Sequence, residues 1–419
     1  MLRLIHTADW HLGQTLHGVD RTWEHDRFLD WLLDRLVDED ADALIVAGDI
    51  FDVAHPTSRA QGQYYRFVAE ARQRRPDLTI VVVGGNHDSP ARLDAPRAVL
   101  GALGVTVVGG LPKGVPPELI PLPNKKGEVE GWLLPVPFLR PRDLPRALAI
   151  NPADEGPRTH DRLIEGHRSL YRQLVDQALT RRSPDQALIA TGHCYMAGGA
   201  VSDLSERKIQ VGHQHALPID IFPAELTYVA LGHLHRAQSV GDAAHIRYSG
   251  SPLPLSLAER DYPHQVLRVD IDNARIQSIT PLMVPRTVEI LRIPETPAPL
   301  EEVLPMLTSL PRRAAFEGVD EHERPYLEVR IRLERAQPRL RQDVAAALAD
   351  AWPRLLRIDA VRVPTESSIQ LPTSASLDRL TPDEVFDACY RRTRDREPTP
   401  AQRALFATLV ESVHREESP

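Results

Sequence analysis

Lysine is almost missing from this 419-residue chain: it stands only at positions 113, 125, 126 and 208, so nearly all of the 50 basic residues are arginine. The planar guanidinium suits phosphate recognition, but the bias by itself carries no assignment. Acidic residues outnumber basic ones, giving a net charge of −8, which argues against a protein whose whole surface grips nucleic acid. Cysteine is equally scarce. Cys194 and Cys389 are far apart and lack Cys-x-x-Cys spacing, so neither a disulfide framework nor a zinc knuckle is present; Cys194, beside His193, reads as a small buried residue. Long apolar runs are also missing. Before His6 and Asp9 the chain offers only Leu2 to Ile5, short of a signal-peptide core, and no later stretch approaches a membrane span. Cytoplasmic residence is therefore the default expectation. No internal repeat or low-complexity tract occurs. A composition of 42% hydrophobic and 26% charged residues is that of a globular protein, and the length exceeds one usual core, so two or three domains are expected.

What the chain does have is a repeated device. Five stretches run apolar and β-branched and then break into a polar or Gly-flanked turn carrying Asp, Asn or His: Leu2 to His11, Leu44 to Asp49, Thr79 to His87, Ala187 to His193 and Tyr228 to His235. Between the first of them lie helical patterns, such as Leu29, Leu32, Leu33 and Leu36 at i, i+3, i+4, i+7, and a helix from about Arg59 to Arg72. This is the rhythm of an α/β layered fold, with ligands at the carboxyl ends of strands, where such folds bind substrates. Short strands at Ile246 to Ser249, Gln265 to Ile271 and Gln277 to Thr280 suit a second sheet facing the first.

The domain reading is 1–285 for this unit, 286–370 for a small cap and 371–419 for a terminal helix pair. Pro285 to Pro299 reads as a proline-punctuated connector. Beyond it Leu327, Val329, Ile331 and Leu333 alternate with Glu328, Arg330, Arg332 and Glu334, the pattern of a half-buried strand. With a helix over Arg339 to Ala351 and a strand over Leu356 to Val363, it makes a β-α-β cap. Arg330 and Arg332, on one face, suit either a DNA backbone or a solvated surface. Two capping boxes, Thr381-Pro382-Asp383-Glu384 and Thr399-Pro400-Ala401-Gln402, open the last two helices. Leu405, Phe406, Leu409, Val410 and Val413 make the final one broadly apolar.

Seven oxygen and nitrogen donors, Asp9, His11, Asp49, Asn86, His193, His233 and His235, are what a site holding two divalent metals requires. Asp49, with two carboxylate oxygens, is the candidate bridge. Asp9 and His11 stand two residues apart, as do His233 and His235, so each pair can serve one ion. Two carboxylates against two divalent ions leave a net positive site that attracts phosphate. His87 follows Asn86, points elsewhere and is free for proton chemistry, with Asp52 or Asp88 to orient it. Val211-Gly212-His213-Gln214-His215 repeats the spacing of the final motif, but Lys208 to Val211 is a poor strand and the later pair is preferred. His6, His17, His25 and His55 read as structural or surface residues.

The runs His6-Thr7-Ala8-Asp9-Trp10-His11-Leu12-Gly13, Gly48-Asp49-Ile50-Phe51-Asp52, Gly85-Asn86-His87-Asp88, Thr191-Gly192-His193 and Ala230-Leu231-Gly232-His233-Leu234-His235 closely resemble the calcineurin-like metallophosphoesterases. Within them the resemblance is to the nuclease subunits of SbcCD-type double-strand-break repair complexes. It implies a four-layer α-β-β-α sandwich and two manganese ions, with magnesium less effective. One ion would be held by Asp9, His11, Asp49 and His235, the other by Asp49, Asn86, His193 and His233, with His87 as the catalytic histidine. Archaeal relatives carry a histidine where this chain has Asp52, so that role does not transfer. The resemblance further implies 3′ to 5′ exonuclease action on duplex ends, endonuclease action on hairpins and single strands, homodimerisation, a nucleoid setting, and docking of the terminal helices on SbcC, an SMC-like ATPase. Two other readings stay open: a small-molecule phosphodiesterase using the same metals, and a DNA-tethering protein whose nuclease is incidental.

Overall fold

A computed structural model of the chain describes residues 1–111, 116–140, 143, 157–199, 216–335, 337–362, 382–394 and 396–406. In chain order the strands are β1 (Leu2–Thr7), the short pair β2 (Thr15–Leu16) and β3 (Val19–Asp20), β4 (Ala43–Ala47), β5 (Thr79–Val83), β6 (Val105–Val108), β7 (Ile120–Pro123), β8 (Val129–Leu134), β9 (Ala187–His193), β10 (Tyr228–Gly232), β11 (Gln238–Val240), β12 (Ala243–Tyr248), β13 (Gln265–Asp272), β14 (Arg275–Met283), β15 (Ile290–Ala298), β16 (Tyr326–Leu333) and β17 (Arg354–Arg362). The helices are α1 (Thr22–Asp38), α2 (Ser58–Arg74), α3 (Pro90–Asp94), α4 (Arg97–Ala102), α5 (Pro157–Leu179), α6 (Leu300–Thr308), α7 (Leu340–Ala347) and α8 (Pro382–Arg394). No helix among the described residues is long and apolar enough to cross a membrane.

Two six-stranded sheets, ordered β14-β13-β1-β4-β5-β6 and β11-β12-β10-β9-β8-β7, face one another. The period-2 pattern of their strands explains why. Ala43 and Ile45 of β4, Val81 of β5, Ala187 and Ile189 of β9, and Tyr228 and Ala230 of β10 meet in one buried cluster between the sheets. The alternate residues Leu44, Val46, Ile80 and Val82 pack outward with Phe28, Leu32, Phe67 and Ala71 of α1 and α2. Leu188, Ala190, Val229 and Leu231 pack outward with Leu170, Leu174 and Val175 of α5. Strands buried on both faces read as continuous apolar runs, and the result is the expected four-layer α-β-β-α sandwich. Because β1, β4 and β5 run parallel in one sheet and β9 and β10 run parallel in the other, their five carboxyl ends emerge along one edge. The decoy pair His213 and His215 lies outside the described residues.

The segment expected to be a connector holds a strand. β15 pairs in parallel with β16 from Ile290↔Tyr326 to Ile293↔Val329, and the register breaks between Ile293 and Ala298. Pro294 and Pro297 fall within that break, on an edge strand, where the missing N–H disrupts no ladder. With β17 these strands form a three-stranded sheet ordered β15-β16-β17, so the cap has one strand and one helix, α6, more than the β-α-β expected. Glu328 also departs from the expected solvated face: it is buried and paired to Arg292 at 2.6 Å. Arg330 binds the Glu295 carbonyl at 2.6 Å and Asp359 at 3.3 Å, whereas Arg332 is exposed.

Two compact units emerge, Met1–Ile331 with Pro338–Val361, and Arg332–Gln337 with Arg362–Pro419. In the second, Thr399 and Gln402 form a reciprocal capping box, the Thr399 N–H reaching the Gln402 amide oxygen at 2.9 Å and the Gln402 N–H reaching the Thr399 hydroxyl at 3.4 Å. Phe386 and Phe406 stack with ring centroids 4.3 Å apart. Thr381, Leu409, Val410 and Val413 lie outside the described residues.

Candidate metal centre

All seven donor residues come to the shared edge of the two sheets. Asp9 and His11 follow β1, Asp49 follows β4, Asn86 follows β5, His193 ends β9, and His233 and His235 follow β10. Nδ1 of His193, from one sheet, lies 2.8 Å from the carbonyl of Ala47 in the other, so the site is also where the sheets are tied together. Glycine is required at this tie. Gly48 has φ +96°, and a Cβ there would overlap the His193 imidazole; a Cβ on Gly232 would overlap the Ala47 carbonyl. Four donor residues, Asp9 (φ 55°), His11 (φ 46°), Asp49 (φ 50°) and His233 (φ 104°), sit in the left-handed region. Non-glycine residues persist there only where their surroundings overdetermine them, and such strain gathers at functional sites.

Asp49 is central. One carboxylate oxygen lies 3.3 Å from Nε2 of His193 and 3.5 Å from Nε2 of His11, and the other accepts the backbone N–H of His87 at 2.9 Å. The side-chain oxygen of Asn86 lies 3.0 Å from Nε2 of His193 and 2.8 Å from Nδ1 of His233. Asp9 accepts the N–H of His233 on both oxygens, at 3.0 and 3.1 Å. Donor atoms of Asp9, His11 and His235 lie within 4.8 Å of one another, as do those of Asp9, Asp49 and His193. Nε2 of His11 and Nε2 of His233 are buried with no hydrogen-bond partner. A buried ring nitrogen with no hydrogen-bond partner is costly unless a cation takes its lone pair, so the donor set fits divalent metals.

The charged groups of the site act strongly on one another. Burial opposes ionisation of Asp49, but His193, then His11 and His87, outweigh it and hold the carboxyl well below its usual range. For His193 burial is likewise outweighed, by Asp49, which lifts it to about 9. His233 is driven well below the ordinary imidazole value by burial and by the neighbouring His193. Burial raises Asp9.

His87 stands at the rim, half-buried where the other imidazoles are buried, with its ring centroid 4.7 Å from that of His11. Asp52 and Asp88 are the partners expected for its ring. Nδ1 of His87 meets the backbone carbonyl of Asp52 at 2.7 Å instead. The Asp52 carboxylate bonds Nδ1 of His11 at 3.1 Å, and Asp88 accepts the backbone N–H groups of Gly85, Ile50 and Phe51 at 2.8, 3.2 and 3.1 Å. Asp88 thus pins the Asp49 turn, and burial with Asp49 nearby pushes it up to about 6. Of the set-aside histidines, His6 is buried against Tyr228 and the Leu231 carbonyl, His25 is buried, and His17 and His55 are exposed.

Sequence reasoning missed Glu259. This carboxylate is fully buried and bonds Nδ1 of His235 at 3.0 Å. It is the first acidic residue after Asp242, a weak signal that only its burial makes meaningful.

The calcineurin-like phosphoesterase family model matches residues 2–237, and the model described as type 5 capsule protein repressor C-terminal domain matches residues 286–394. The SbcD subunit of the nuclease SbcCD from Rhodobacter capsulatus is 40% identical over 397 residues, covering 93% of this chain and 94% of that protein. The protein of the same name from Escherichia coli K12 is 39% identical over 287 residues, covering 68% and 69%, and that of Bacillus subtilis 38% identical over 274 residues, covering 64% and 66%.

Proposed function

The chain belongs to the calcineurin-like phosphoesterases and, within them, to the SbcD nucleases, a family of metal-dependent hydrolases; from that premise we propose that it cleaves DNA phosphodiesters using two manganese ions. One is assigned to Asp9, His11, Asp49 and His235, the other to Asp49, Asn86, His193 and His233. The observation that carries this reading is the meeting of seven donors from five strand ends, two of them with a buried ring nitrogen that has no hydrogen-bond partner. Bound ions would supply a water of lowered pKa and charge stabilisation for in-line displacement.

The protein's own groups do the rest. Asp49 faces both ends of the site, and its other oxygen anchors the His87 backbone. His87 donates Nδ1–H to the Asp52 carbonyl, which fixes the ring and turns Nε2 outward. From there a protonated ring can steady a nonbridging phosphate oxygen or protonate the departing sugar oxygen, which as an alkoxide is a poor leaving group. The reaction products are a free hydroxyl and a terminal phosphate.

The finer assignments follow the family: 3′ to 5′ exonuclease action on duplex ends, endonuclease action on hairpins and single strands, a homodimer in the cytoplasm, and an SMC-like ATPase partner, SbcC. The terminal helices support the last of these, since Val385 and Leu405 are exposed apolar residues on them. An assay on blunt duplex and hairpin DNA with manganese against magnesium, beside bis-p-nitrophenyl phosphate, tests the reading. Preference for the small ester would favour a small-molecule phosphodiesterase instead. His87→Ala should abolish cleavage and retain two bound Mn2+; an unchanged rate would remove His87 from its role.

A further inference from the structure

The 3₁₀ turn Leu257–Glu259 looks in two directions. Leu257 is buried in a cluster with Val288, Ile290 of β15 and Tyr326 of β16, while Glu259, two residues on, holds Nδ1 of His235. The other Glu259 oxygen accepts the Leu255 N–H at 2.8 Å, so the carboxylate also closes its own turn. That turn is tied to the three-stranded sheet at several points. Arg292 of β15 donates to the Leu257 carbonyl at 3.1 Å while paired to Glu328 of β16. Arg260 makes a two-pronged contact with Glu295 at 2.9 and 3.1 Å. Just upstream, buried Arg21 binds the Pro254 carbonyl at 2.6 Å and pairs with Glu24, which accepts the Tyr326 hydroxyl at 2.7 Å. Beside this seam lies a cavity of about 230 Å³ lined by Glu24, Pro254, Tyr262, His264 and Arg286 among others.

Resting on the metal reading above, we propose that Glu259 is a positioning residue for His235, and that its own position is set by β15 and β16 through Leu257 and Arg292, linking the seating of the small sheet to metal affinity at the His235 end. A carboxylate accepting Nδ1–H fixes the ring so that Nε2 faces the ion and makes that nitrogen more basic; losing such a partner costs roughly 10–100-fold in metal affinity. Displacing the turn would act through the same contact. By linkage, an ion bound at that end would in turn favour the seated arrangement of the sheet.

The test is Mn2+ binding to the full chain, by isothermal titration calorimetry and manganese electron paramagnetic resonance, for wild type, Glu259→Gln, Leu257→Ala and Arg292→Lys. Glu259→Gln keeps the shape but removes the charge and one of the two acceptor oxygens, leaving a single oxygen for the His235 ring and the Leu255 N–H. It should weaken one of the two ions about tenfold or more and leave the other within about threefold. Leu257→Ala and Arg292→Lys should weaken the same ion by a smaller factor, Arg292→Lys serving where Leu257→Ala lowers metal-free stability. Equal loss of both ions, or none, in Glu259→Gln overturns the positioning role. Unchanged affinities in both turn variants, with Glu259→Gln weakened, overturn the link to the sheet. Wild type failing to bind two ions would sink the metal reading instead, a separable result.

Discussion

The two ends of the proposed metal centre share Asp49 and have two histidines each, but those histidines are held differently. At one end His11 and His235 each give Nδ1 to a carboxylate, Asp52 and Glu259. At the other, His193 gives Nδ1 to the Ala47 backbone carbonyl, and its charge partner is Asp49 itself. The first end is oriented by side chains, which a substitution can exchange one at a time. The second is oriented by the docking of two sheets, so any change there strikes the fold. The ligand set alone therefore does not say how each end responds to mutation; the groups behind the ligands do.

The largest break should come from Asp49→Asn, which removes the charge shared by both ends. Cleavage is expected to fall about a thousandfold or more, about 4 kcal/mol of barrier, with fewer than two Mn2+ retained on calorimetric titration. Next is Gly48→Ala, which drives a Cβ into His193 at a left-handed φ. A loss of about 2–4 kcal/mol is expected from urea unfolding, appearing as instability as much as inactivity. Asp52→Asn, at the exchangeable end, should instead leave the unfolding midpoint in place and weaken one ion about 10–100-fold; an equal effect on both ions would erase the distinction between the ends.

The smallest effect sharpens the comparison away from the metals. His167, buried on α5, meets the Leu163 carbonyl through Nδ1 at 2.8 Å, and burial holds it down to about 4 from an ordinary 6.5, whereas Asp49 lifts the equally buried His193 to about 9. A backbone carbonyl fixes a ring without keeping its proton; a carboxylate does both. Because the folded state binds the His167 proton less well than the unfolded chain, its contribution is complete above about pH 6.5 and is lost as pH falls, by about 1.4 kcal/mol per unit down to about pH 4. His167→Gln should flatten that part of the stability profile measured by denaturant titration from pH 7 to 4.

Much of this was legible in residue order. The alternation of Leu44 and Val46 against Ala43 and Ile45 foretells a strand buried on both faces, and the polar breaks after five such runs mark the ligand turns. The capping box at Thr399 and Gln402 was equally readable, because a cap is a contact between residues three apart. β15 was not: its prolines signal a connector, and only pairing with β16 on an edge makes them tolerable. Glu328 looked solvated because alternation describes one sheet face and cannot know that Arg292 waits on the other. Asp52 and Asp88 were identified as part of the site, yet their partners were not, since neighbours in sequence do not reveal which way a carboxylate turns.

Local patterning by itself pointed to the class of fold, the candidate donor types and the turns that carry them, because strand period and turn chemistry are properties of short segments. Only the tertiary structure decided that Glu259 backs His235, that Ala47 backs His193 and that a three-residue turn joins the small sheet to the metal centre. Those contacts span from 24 to 146 residues of chain, and no short-range rule governs what comes to rest beside a buried imidazole once two sheets have closed.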